Sequence, residues 1–91
     1  MDEVINAAKE LKEAIDNLPL TKEYYFLSNL LENDESLKGM RKEIARLAFE
    51  GKEQERENLL KVYNDNPLVS NYQAIKSELT DLLKEIVNQI Q

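Results

Sequence analysis

An all-α fold is what this sequence predicts: a small helical bundle with a long C-terminal helix and antiparallel helix packing. Three observations point there. Apolar residues recur at spacings of three and four along most of the chain, strand-type alternation is missing, and only two glycines and two prolines interrupt 91 residues. A chain of that length suits a single helical domain over residues 1–91. Its predicted helices run over 2–18, 21–32, 34–50, 52–64 and 67–91.

The first helix starts at Asp2, an N-cap residue type, with Glu3 favourable near the positive end of the helix dipole. Val4, Ala8, Leu11, Ile15 and Leu18 then form one stripe, and Pro19 ends the helix. Thr21 is the expected cap of the second helix. Leu20 and Tyr25 flank it at the spacing of a hydrophobic staple, and Tyr24, Leu27, Leu30 and Leu31 supply the buried face. Asp34 is the expected cap of the third helix, whose inner face is Leu37, Met40, Ile44 and Leu47.

The pattern fails over 50–58, "EGKEQEREN", which has no apolar residue. A turn at Gly51 is preferred, because Leu59, Leu60, Val62 and Tyr63 form a new apolar group that can fold back; one bent helix from 34 to 64 is the alternative. "NDNP" at 64–67 stops one helix and restarts another, with Asn66 as N-cap and Pro67 at the first helical position. Leu68, Tyr72, Ile75, Leu79, Leu82 and Ile86 then form the stripe of the last helix, widened on one side by Val69, Leu83 and Ile90. This face is wider than the two-in-seven seam of a coiled coil. Leu68, Tyr72, Ile75, Leu79, Leu82, Leu83, Ile86 and Ile90 are read as core or interface. The first and third helices carry narrower stripes, partly of Ala and Met, and are too short to cover all of it. A homo-oligomer, with a dimer favoured, is therefore expected.

The composition excludes several classes of function. Net charge is −6, so the chain as a whole repels nucleic acid backbones, and nucleic acid is not the expected partner. No 18-residue apolar run exists and the N-terminus is acidic early, so neither a membrane span nor a signal peptide is expected and the location read is cytoplasmic. Cysteine and histidine are both absent. That removes disulfides, thiolate ligands, the commonest transition-metal ligand and the commonest general base. No enzyme activity, catalytic residue, cofactor or metal is expected.

Two constellations invite a sharper reading. "DESLKGMRKEIA" at 34–45 has the outline of a calcium loop, but Lys38 replaces an oxygen ligand and Ala45 stands where a bidentate Glu is needed. Lys38, Arg41, Lys42 and Arg46 form a candidate basic face on the third helix. It lies in the basic middle of the chain, where residues 36–63 carry seven bases and five acids, against three and nine in residues 1–35. Such a stripe would suit RNA phosphates or an acidic protein, while short charge stripes more often form a solvated face. Phe49, beside polar residues, is the candidate exposed anchor.

An N-terminal helix, then "LPLTKEYYFLSNLLENDESLKGM", a polar stretch, and "NPLVSNYQAIKSELTDLLKEIVNQI" together resemble the YlbF/YmcA family of small bacterial helical proteins. The likeness covers roughly residues 4–90. Its most specific parts are the Asn-Pro-Leu-Val start at Asn66, then Tyr72, and the run Leu79, Leu82, Leu83 and Ile86. The resemblance implies an all-helical, self-associating, non-enzymatic regulator that contacts protein partners: a related helical protein or a complex linked to ribonuclease Y. Bacillus members of that family look like accessory factors for competence, biofilm formation and sporulation. Their cysteine-bearing tails are associated with an iron–sulfur cluster, and this chain has no cysteine, so that role is not carried over. A helical adaptor is the leading expectation. An RNA-associated factor using the basic face and a purely structural oligomer are the alternatives.

Overall fold

A computed structural model describes residues 2–90. Five helices follow one another in it: α1 (Asp2–Asp16), α2 (Pro19–Asn33), α3 (Glu35–Phe49), α4 (Glu53–Asp65) and α5 (Pro67–Ile90). The all-α expectation holds, with antiparallel packing and no strand among the described residues. Gln91, the last residue of the predicted 67–91 helix, lies outside them.

Both prolines do the same structural job. Pro19 and Pro67 each open a helix, where the missing N–H is not needed, and each forces the residue before it into extended backbone. Leu18 sits at φ −64°, ψ 137° and Asn66 at φ −63°, ψ 129°. A proline thus breaks one helix and starts the next within two or three residues. This corrects two sequence-based boundaries. The first helix ends at Asp16 rather than 18, and the second begins at Pro19 rather than 21. Thr21 is not a cap but a buried residue inside the first turn of α2, so the staple of Leu20 and Tyr25 has no cap to span. Pro19 carries helix-starting information that outweighs the hydroxyl at Thr21.

Asp2, expected as the first cap, is instead the first residue of α1, while the caps expected at Asp34 and Asn66 are present. Asp34 accepts a hydrogen bond on Oδ1 from the Leu37 N–H at 2.9 Å. Asn66 Oδ1 accepts from the N–H groups of Leu68 at 2.9 Å and Val69 at 3.4 Å. The polar stretch after Phe49 turns at Gly51, whose φ is +73°. There the Lys52 N–H donates to the Leu47 carbonyl and the Gly51 N–H to that of Ala48, at 2.9 and 3.2 Å. That is the Schellman pattern, and it needs a left-handed residue at this point.

α2 and α5 lie side by side in opposite directions, α3 and α4 form a hairpin, and the two pairs meet through α2–α3 and α4–α5. The core sits where all four converge. Leu31, Leu37, Tyr63 and Val69 are its buried centre, with Met40, Ile44, Leu60, Leu68 and Tyr72 packed around them. Val69, read from sequence as a flank of the last stripe, is the deepest of these at 1% exposed. It faces the convergence point, which a single-helix projection does not reveal.

α1 stands apart. Its backbone comes close only to α2, with no Cα within 8 Å of one in α5, and only the side chains of Ile15 and Asp16 at its end share a groove with α5. The molecule is accordingly elongated, 52 × 24 × 21 Å.

Candidate interaction surface

α1 is the element with the least to do in the fold. Its 15 residues include none that is buried. Its stripe is nevertheless apolar: Val4 is 72% exposed, Ile5 51% and Leu11 39%, and only Ile15, next to the turn, is half-buried. An isolated helix of this length is marginal in water.

The second half of α5 is in the same condition. Of the face read as core or interface, Leu79 is buried, and Leu68, Tyr72, Ile75, Leu82, Leu83 and Ile86 are half-buried. Ile90 is 66% exposed and Val87, on the same side, 51%. The reason is length. Against 24 residues of α5, α2 offers 15, or about 36 Å against about 22 Å. The last turns of α5 run past the end of α2.

Two open grooves mark this region. One is lined by Thr80, Leu83, Lys84, Val87 and Asn88, all from α5. The other, of about 260 Å³, lies between the end of α1, α2 and α5, where Ile15, Asp16, Thr21, Tyr24 and Tyr25 face Lys76, Leu79, Thr80 and Leu83. Thr21 is 3% exposed, and its hydroxyl has no hydrogen-bond partner among the described residues.

The four members of the candidate basic face are not equivalent. Arg41 is half-buried and turns inward, donating to the Tyr63 hydroxyl at 3.2 Å and to the Leu31 carbonyl at 3.4 Å. Arg46 lies between Glu43 and Glu50 and pairs with both. Its hydrogen bond to Glu43 lowers the pKa of that carboxylate and raises that of the guanidinium. Lys38 and Lys42 remain exposed, with no carboxylate within ion-pair distance among the described residues. Phe49 projects at 93% exposed.

One polar feature was not visible in the sequence. Tyr24 and Tyr72 stack across α2 and α5 with ring centroids 5.5 Å apart, and their hydroxyls lie 3.4 Å from each other. The Tyr24 hydroxyl, with burial, pushes the Tyr72 phenol up to about 12. The pair cross-braces the two longest-packed helices. No group of three Asp or Glu side chains among the described residues is placed to hold a metal ion. No described helix is long and apolar enough to cross a membrane.

Fold and surface together define a small, acidic, all-helical protein whose distinctive feature is apolar helix surface that no other described residue covers. Its family follows from the sequence. The chain belongs to the YlbF/YmcA family, whose model is described as control of competence regulator ComK and matches residues 4–91. That description is of a regulatory role. No curated protein and no solved structure gives a significant match.

Proposed function

We propose that this chain is a non-enzymatic, cytoplasmic adaptor of bacterial regulation that self-associates and contacts protein partners. Those partners would be a related helical protein or a ribonuclease complex, in processes of the competence type. One observation carries the reading: α1 and the last turns of α5 present apolar stripes that nothing among the described residues covers. Exposed apolar surface of this kind marks sites of association. The absence of His and Cys supports a role in contact rather than in chemistry. An RNA-associated reading would rest on four side chains, and two of them, Arg41 and Arg46, already have partners within the chain.

Light scattering tests the first part. The expected mass is a multiple of 10.6 kDa. Ile90→Glu, at an exposed position, should yield a smaller particle with its helicity kept. Leu79→Glu, at a buried one, should unfold the chain instead. A mass of 10.6 kDa at high protein concentration would refute self-association.

A further inference from the structure

We propose that the outer side of α3 docks an acidic protein segment: Lys38 and Lys42 take its carboxylates, and Phe49 enters an apolar recess beside them. The inference rests on the adaptor reading above and names one surface through which a protein other than this chain is held.

Charge singles out α3. It carries four bases and two acids, whereas each of the other four helices carries more acids than bases. On a chain of net charge −6, an acidic partner is opposed by those four helices and accommodated by this one. Not all four bases are available. Arg41 turns inward to Tyr63 and Leu31, and Arg46 is held by Glu43 and Glu50. Lys38 and Lys42 are exposed, and neither has a carboxylate within ion-pair distance among the described residues. Glu35, the other acid of α3, lies in its first turn, where it offsets the positive end of the helix dipole.

Helix geometry joins the two lysines to Phe49. At 3.6 residues per turn, all three fall within an arc of about 40° around α3. Lys38 and Lys42 stand one turn apart, about 6 Å, and Phe49 lies about 10 Å beyond Lys42. The inner side of α3 is Leu37, Met40, Ile44 and Leu47, so the fold makes no use of the Phe49 ring. That ring is 93% exposed, more than any other large apolar side chain described. An aromatic side chain that enters a partner's pocket is a common anchor of an interface, and charges beside it fix orientation.

The same features count against RNA as the occupant. Affinity for a polyanion is built from many phosphate contacts, and an acidic chain with two free cations on this face offers few. A protein segment needs only two carboxylates and an apolar recess.

Photo-crosslinking in the host cell tests the surface. Phe49→benzoylphenylalanine should crosslink to a protein other than this chain, at a site whose flanking residues are net acidic. Adding Lys38→Glu/Lys42→Glu should lower that yield about tenfold, and Lys38→Ala/Lys42→Ala should lower it less. A synthetic peptide of the crosslinked segment should bind the purified protein, bind more weakly as salt rises, and lose about tenfold in affinity with Phe49→Ala. All three positions are exposed, so circular dichroism should show every variant as helical as the unmodified chain. Crosslinks to RNA, to a second copy of this chain or to nothing would each overturn the proposal. So would a peptide that binds Phe49→Ala protein as tightly as the unmodified one. Val87→benzoylphenylalanine, on α5, separates that failure from failure of the adaptor reading. Another protein captured there but not from position 49 would leave the adaptor reading standing, and none captured from either would remove both.

Discussion

Replacing Arg41 by Ala should damage the fold rather than any surface property. Its guanidinium joins three helices: it projects from α3, donates to the Tyr63 hydroxyl on α4, and donates to the Leu31 carbonyl near the end of α2. Tyr63 and Leu31 are both core residues at 9% exposed. Hydrogen bonds from a charged donor contribute about 1.5–3 kcal/mol each in favourable geometry. These two are long, at 3.2 and 3.4 Å, and Arg41 is only half-buried. Together they justify about 2 kcal/mol, which includes the partners left unsatisfied. A domain of this size has roughly 3–5 kcal/mol to lose from. Urea unfolding followed by circular dichroism, at one fixed protein concentration because association adds to stability, is the assay. With a slope of about 1–3 kcal/mol/M, the midpoint should fall by about 1 M. Lys42→Ala, one position along and exposed, should stay within about 0.5 kcal/mol of the unmodified chain. A double-mutant cycle with Tyr63→Phe isolates the α3–α4 contact. If Arg41→Ala and Lys42→Ala unfold at the same midpoint, the assignment of Arg41 to the interior is wrong.

Two further outcomes follow from local structure. Ultraviolet titration of the four tyrosines should show one late step near pH 12, lost in Tyr72→Phe. Because the folded state holds that proton more tightly than the unfolded chain, the contribution is full below the ordinary phenol value of about 10 and disappears as pH rises through about 12. Ala substitution should act with opposite sign at the two glycines. Neither position has a neighbour within 4 Å of an added Cβ, so backbone preference alone decides. Gly51→Ala, at φ +73°, should destabilise by about 1–2 kcal/mol. Gly39→Ala, inside α3, should stabilise by about 0.5–1 kcal/mol. Thermal midpoints moving in the same direction would refute that account.

Much of the fold was legible because it is written locally. Asp34, Asn66 and Pro67 each fix a helix start through their own chemistry, and each does so in the structure. Gly51 was readable as a turn because nothing else in 50–58 stops a helix. The junction at Pro19 was misread because proline has two meanings, stopping one helix and opening the next, and Thr21 offered a plausible but unused cap. Arg41 was grouped with Lys38, Lys42 and Arg46 by charge alone. Its position one turn after Leu37, on the edge of the apolar stripe, was the signal that it could reach inward. The pairing of Tyr24 with Tyr72 depends on the relative register of α2 and α5, and nothing local in the chain encodes that.

The last helix shows where periodicity stops being informative. Its apolar positions continue at spacings of three and four from Leu68 to Ile90 without a change of pattern. The environment changes sharply nonetheless, from Val69 at 1% exposed to Ile90 at 66%. A helix stripe records that a face avoids water, and folding and association meet that requirement equally well. What separates them is the length of the neighbour: α2 is nine residues shorter than α5, 15 against 24, so the later turns of the stripe have no partner within the four-helix core. α1 could have supplied one and, splayed from α5, does not. On the proposed reading, one continuous stripe therefore serves two purposes. Its first half holds the four-helix core together, and its second half, with α1, is the surface through which copies meet. Substitutions along α5 should then pass from unfolding the chain to dissociating it, with the crossover beyond Leu79, where α2 ends.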